Sequence, residues 1–349
     1  MSLLKIAGFG LTATGLLAVR LHYKGGVNHH APDMAGKTVI VTGGNSGIGL
    51  EAARELYSLN ANVIITGRDE RKAKKFLDSL PEPSNGQDEL KFYKLDFSDL
   101  ENVEDFTRKL KGNYDKVDLL INNAGANFME YRTTAQGYEM TMGVNHLAHA
   151  YLTSLLLPEL TKGQEARVIN VAFQAHLGRE QMKGNPNPEF EDFFSNQEGV
   201  DHAETYNWYN RYGQSKLANI LFTRGLAKHI EEENAKGKAL NLKTVSLHPG
   251  VILTDFMRSF DQLELKSRIL FKVFSPLMFM FFKTVNDGAQ TTLHCALCPF
   301  DELVNGEYYS DCRIRETTPQ AQDPVNIDTA WDITNKALKE SLDYDAFVF

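Results

Sequence analysis

From Lys37 onward, short runs that are aliphatic or β-branched at nearly every position alternate with longer stretches in which apolar residues return every three or four positions. Continuous apolar runs read as strands buried on both faces, and the 3.6-residue period between them reads as helices covering those faces. The pattern predicts strands at Thr38–Thr42, Asn62–Gly67, Lys91–Asp96, Val117–Asn122, Arg167–Ala172 and Lys243–His248, with a last one near Glu307–Ser310. Pro81–Asp88 reads as a polar loop and Gly178–Asn207, holding Gly, Pro, Asn and acids, as a long connection. No internal repeat is visible. Strands alternating with helices, joined by right-handed crossovers, predict an α/β fold: a doubly wound parallel sheet of about seven strands with helices on both faces. Its ligand crevice would lie at the carboxyl ends of the strands.

The first 32 residues break this pattern. Ile6–Val19 is an apolar run rich in Gly, Ala and Thr, bounded by Lys5 and Arg20. It is shorter than the roughly 20 residues that span a bilayer, but Leu3, Leu4 and Leu21 extend it if Lys5 snorkels to the headgroups. It reads first as a membrane anchor over residues 3–21, with a mitochondrial targeting sequence and a buried or interfacial helix as alternatives. Gly8, Thr12 and Gly15 would let another membrane helix approach closely. Arg20 and Lys24 follow the run, so the soluble part is expected on the cytosolic or matrix side of an endoplasmic reticulum or mitochondrial membrane. The remainder, 37–342, reads as one domain with a substrate lobe at about 251–296.

Charge and cysteine content narrow the partners. A net charge of −8 without a clustered basic surface argues against nucleic acid. Cys295, Cys298 and Cys312 form one C-x-x-C with no second pair or His/Asp cluster beside it, so neither a metal site nor a disulfide framework is expected. A lipophilic small molecule or membrane-protein partners fit the apolar segments better.

The candidate chemistry begins where Val39-Ile40-Val41-Thr42 runs into Gly43-Gly44-Asn45-Ser46-Gly47-Ile48-Gly49 and then into a helical pattern. Glycines between a buried strand and a helix let the backbone approach a pyrophosphate, whose charge sits on the helix N-terminus. An NAD site would carry an acid at the end of the second strand. Here Gly67 is followed by Arg68, whose guanidinium suits a 2'-phosphate, so NADP(H) is favoured over NAD(H); Asp69 is the residue that would reverse this. Asp96 and Phe97, after the third strand, would flank the adenine, and Asn123, Ala124 and Gly125 would pack beside the adenosine.

Together T-x-x-x-x-G-x-G (Thr42, Gly47, Gly49), N-N-A-G (Asn122 to Gly125) and Y-x-x-x-K (Tyr212, Lys216) resemble the short-chain dehydrogenase/reductase family. Val144–Leu147, Ser215–Phe222, His248–Val251, Gly288–Thr291, His294–Leu297 and Tyr309–Cys312 resemble its retinol dehydrogenase-like branch. The resemblance covers Lys37 to about Leu342. It implies a Rossmann-type fold, NADP(H), and oxidation or reduction of a retinoid, steroid or other lipophilic carbonyl or alcohol, often at a membrane.

Hydride transfer to a carbonyl needs a proton donor at the developing alkoxide. Tyr212 is the candidate, with Lys216 one turn away favouring the phenolate; Tyr206 and Tyr209 lack a lysine four residues on. The resemblance further implies that Lys216 holds the nicotinamide ribose, that Asn145 supports a water-linked proton path, and that Pro249, Gly250 and Thr254 bind the carboxamide. The branch continues its fifth strand as Ser-Ser-x-Ala-His, whereas Val168-Ile169-Asn170-Val171 here leads into Ala172-Phe173-Gln174-Ala175-His176. Phe173 therefore stands where the resemblance places a catalytic serine, and phenylalanine has no donor. Strand alternation would point Gln174 to the opposite face. Ile269–Phe282, dense in Phe, Leu and Met, reads as a substrate lid, an interfacial segment or core. Two functions remain open: an impaired oxidoreductase, and a catalytically inactive nucleotide-binding subunit of a membrane assembly.

Overall fold

The computed structural model describes residues 20, 23–80, 89–177, 206–252 and 282–348. In chain order these form β1 (Thr38–Val41), α1 (Gly47–Ser58), β2 (Asn62–Gly67), α2 (Glu70–Leu77), β3 (Leu90–Lys94), α3 (Leu100–Lys111) and β4 (Leu119–Asn122). A helical turn Met140–Met142 and a π-helical turn Gly143–Leu147 lead into α4 (Ala148–Leu160). Then come β5 (Ala166–Val171), α5 (Trp208–Ala235), β6 (Leu242–His248), α6 (Val285–Leu297), β7 (Tyr308–Ser310), β8 (Arg313–Ile314) and α7 (Pro324–Leu342).

The strands lie in the order β3-β2-β1-β4-β5-β6-β7-β8, parallel except for the last pair. Strand alternation builds two cores. Ile40, Ile64, Leu120 and Val168 face α3, α4, α5 and Trp331 of α7. Val39, Val41, Val63, Ile65, Ile121, Ile169 and Val171 face α1, Phe76 of α2, and α6. Burial on both faces is why these strands carry no polar alternation.

The sheet has eight strands rather than about seven. Asp311 and Cys312, at φ 53° and 57°, form the tight reversal that brings Arg313–Ile314 back against Tyr309–Ser310. Both central residues of such a turn are left-handed, a conformation that usually calls for Asn or Gly, so Asp-Cys gives no hairpin signal in the sequence.

The chain before β1 lies along α6. Arg20 bonds Asp287 and the Phe282 carbonyl, the Asn28 amide donates to Gln290, and the His30 ring sits 5.4 Å from that of His294. At Gly26 a Cβ would stand 2.1 Å from the Asp311 carbonyl oxygen, so only glycine fits this crossing. Among the described residues no helix is long and apolar enough to cross a membrane. The expected anchor over residues 3–21 apart from Arg20, the loop 81–88, Thr254 and nearly all of the 178–207 connection and the 269–282 segment lie outside the described residues.

Candidate active site

The glycine loop is fixed by the end of β4. Thr42 Oγ accepts the Asn123 and Ala124 amides at 2.8 and 2.9 Å, and Asn123 Nδ2 donates back to the Thr42 carbonyl at 2.8 Å. Gly43, at φ 64°, brings its backbone so near that a Cβ would lie 3.0 Å from Ala124 Cα. Ser46 stands at the N-cap of α1 without a side-chain capping bond, and the first turn holds no acid. In α2 and α3, by contrast, Asp69 and Asp99 cap the first-turn amides. The start of α1, with Gly47, Ile48 and Gly49, thus keeps amide donors suited to an external anion.

At the end of β2 the Asn45 side chain fills the space over Gly67, where a Cβ would lie 2.5 Å from its amide, and Asn45 Nδ2 donates to the Asp69 carbonyl at 3.1 Å. The Asp69 carboxylate accepts the Arg71 and Lys72 amides at 3.0 and 3.3 Å. Arg68 is exposed. Asp96 is engaged by the amide and hydroxyl of Ser98, and the Phe97 ring is buried with its centroid 4.3 Å from the ring of His149.

The second half of the site lies at the end of β5, with β4 between it and β1. Lys216 is 4% exposed, donates to the Val171 carbonyl at 3.0 Å, and has Nζ 5.6 Å from the Tyr212 ring centroid. A Cβ at Gly125 would lie 3.4 Å from Lys216 Nζ and 3.6 Å from Asn145 Oδ1, which places all three together. The Asn145 side chain is committed to structure. Its Oδ1 accepts the Ala126 amide at 2.8 Å, and its Nδ2 donates to the Ala126 carbonyl at 2.9 Å and to Ser215 Oγ at 3.1 Å. Tyr206, by contrast, is held in another network: its hydroxyl lies 2.8 Å from the buried Glu139 carboxylate and 3.0 Å from the Phe128 carbonyl. Burial pushes its phenol well above the ordinary range.

Phe173 is half-buried, its ring centroid 5.9 Å from that of Tyr212 and 4.7 Å, edge to face, from that of His248. The strand-alternation argument for Gln174 does not hold. β5 ends at Val171, and Gln174 opens a 3-10 turn running to Leu177, with its side chain exposed. Beyond β6, the Gly250 amide lies 3.3 Å from His248 Nδ1. Lys283 runs beneath Gly250, its amide bonding the Val251 carbonyl and its ammonium pairing with Asp311 at 2.7 Å. His149 and Lys283 belong to no motif that the sequence reading singled out.

Desolvation lowers the Lys216 ammonium from its ordinary 10.5 to about 8. The sign of the pH effect follows. Below about pH 8 both folded and unfolded chains carry the proton and the folded state bears the full desolvation cost; above 10.5 neither does. The wild type, measured against Lys216→Met, is therefore expected to gain about 1.4 kcal/mol of stability per pH unit across that window. Urea unfolding of both proteins at a series of pH values reads the difference, and a flat difference would show that Lys216 is not desolvated.

Residues 37–184 match the sequence pattern described as short chain dehydrogenase. Retinol dehydrogenase 12 of Homo sapiens is 35% identical over 322 residues, covering 92% of each chain. Retinol dehydrogenase 14 of Mus musculus is 38% identical over 312 residues, covering 86% of this chain and 85% of its own. Among solved structures, an uncharacterised protein of Mycobacterium Paratuberculosis superposes with a TM-score of 0.65 at 27% identity, over 90% of this chain and 98% of its own. The Pseudomonas aeruginosa RhlG/NADP active-site complex shares the fold, with a TM-score of 0.58 at 20% identity over 80% of this chain and 96% of its own.

Proposed function

Because the chain belongs to the short-chain dehydrogenase/reductase family, in its retinol dehydrogenase-like branch, we propose that it binds NADP(H) across the strand ends and acts on a lipophilic carbonyl or alcohol, with hydride chemistry impaired by Phe173. The observation that carries this reading is the buried Lys216 one turn from Tyr212, beside Gly125 and Asn145 at the end of β5. When bound, the dinucleotide supplies the hydride.

This chain's residues do the rest. The start of α1 receives the pyrophosphate on its uncapped amides. Arg68 takes a 2'-phosphate, which Asn45 over Gly67 and the capping role of Asp69 both support. No side chain grows from position 67, and the Asp69 carboxylate is already engaged by two amides. Tyr212 holds the proton destined for the alkoxide, and the Lys216 ammonium makes the phenolate it leaves behind less unfavourable. Pro249, Gly250 and Thr254 are assigned to the carboxamide end, and Asp96 and Asn123 to the adenosine end. Phe97 contributes by packing behind His149. Phe173 stands in the serine position and offers no donor to the substrate oxygen.

That missing donor also favours a second reading: a catalytically inactive, nucleotide-binding subunit of a membrane assembly, attached through residues 3–21. The two readings share the cofactor and differ in turnover. NADPH titration by fluorescence tests the common part. Replacing Arg68→Asp removes a charge-assisted bond of roughly 1.5–3 kcal/mol, so NADPH affinity is expected to fall at least about tenfold while NADH affinity holds or improves. Equal loss for both cofactors would remove Arg68 from the phosphate site. Copurification with stoichiometric membrane proteins, together with no turnover of any carbonyl, would select the second reading.

A further inference from the structure

His149, the second residue of α4, is 3% exposed and lies between the two halves of the site. Its Nδ1 is 3.2 Å from the Asn145 carbonyl and its Nε2 is 3.0 Å from Thr42 Oγ. A carbonyl only accepts, so Nδ1 carries the hydrogen and Nε2 presents a lone pair. Thr42 Oγ already accepts two amides, from Asn123 and Ala124, so its own proton is free to point at Nε2. The competing acceptor, the Ile121 carbonyl, is farther away at 3.3 Å. The bonds therefore run one way, from the Thr42 hydroxyl to the imidazole and from the imidazole to the Asn145 carbonyl. Phe97 packs against the ring, and the Thr153 hydroxyl holds the His149 carbonyl at 2.8 Å.

We propose that His149 is a positioning residue of this site: a neutral bridge of fixed tautomer that ties the dinucleotide loop, through Thr42, to the π-helical turn that carries Asn145. The inference rests on the NADP(H)-binding reading. Asn145, at one end of this bridge, is anchored through both side chain and backbone. Its side chain ties Ala126 to Ser215 in the turn before Lys216, and its carbonyl receives His149. The amides of Asn123 and Ala124 and the turn facing Lys216 are thus set as one unit. Burial and the nearby Lys216 charge hold the His149 imidazole down at about 3, so the bridge stays uncharged at any working pH.

The test compares His149→Phe, which keeps a flat ring without polar atoms, with His149→Gln, whose amide can accept from Thr42 and donate to Asn145. NADPH dissociation constants are measured by fluorescence on each, with thermal unfolding alongside. His149→Phe is expected to weaken NADPH about tenfold, the loss of one to two hydrogen bonds, and His149→Gln to recover most of it. Equal NADPH affinity in all three proteins, or equal loss in both variants in step with their melting points, would overturn the proposal. If His149→Phe does not fold, nitrogen NMR of the wild type decides: hydrogen on Nδ1 is expected, and hydrogen on Nε2 would refute the bridge. A wild type that binds no NADPH fails the cofactor reading instead, which keeps the two apart.

Discussion

Replacing Phe173→Ser is expected to raise kcat for a retinal-like carbonyl by about 10²–10³-fold, the usual worth of one preorganised donor at a developing oxyanion. The change acts in two ways. It supplies a hydroxyl, and it removes an aromatic ring from beside Tyr212, where the ring centroids stand 5.9 Å apart. The substitution also strips His248 of its edge-to-face partner. Some stability is lost with it, of the order of 3 kcal/mol or less for a half-buried phenylalanine. Steady-state kinetics with NADPH and a panel of lipophilic aldehydes and ketones reads the gain, and NADPH affinity checks that the variant is folded. Brisk wild-type turnover with no gain from serine would mean that Phe173 occupies no catalytic position.

In that serine background, Tyr212→Phe is expected to lower kcat by about 10²–10⁴-fold, the range for removing a positioned general acid. Its distinguishing mark is what stays constant. Lys216 keeps its bond to the Val171 carbonyl and the glycine loop keeps its bonds to β4, so NADPH should bind as before. Tyr206 cannot take over, because its hydroxyl is held between Glu139 and the Phe128 carbonyl. A fall in NADPH affinity matching the fall in rate would make Tyr212 a binding rather than a proton-donating residue.

The parts of this site that were legible in the sequence are those in which neighbours in the chain are neighbours in space. The glycine loop follows its strand directly, and Tyr212 and Lys216 share a helix face, so spacing alone brings them together. The central parallel strands β1, β2 and β4 were legible as short, mostly aliphatic runs buried on both faces. What stayed hidden depends on distant partners. His149 meets Thr42 across 107 positions, and nothing near it in the chain marks it as anything but a core histidine. The π-helical turn at Gly143–Leu147 has no sequence signature of its own. The alternation argument for Gln174 failed because the strand was carried past Val171, where the backbone in fact leaves the sheet. The strand β8 was missed because Asp311 and Cys312 adopt a turn conformation that their side chains do not advertise; Lys283 and the backbone at Gly26 hold Asp311 from outside.

That same crossing couples the lead-in to β1 with the far end of the site. Arg20 grips Asp287 and Gly26 presses on the Asp311 carbonyl, so the described lead-in to β1 is pinned to α6 and to the β7–β8 reversal. Asp311 is also the partner of Lys283, which runs under Gly250. One acid thus latches the lead-in to β1 and the loop at Gly250 together, so loosening either would slacken the other.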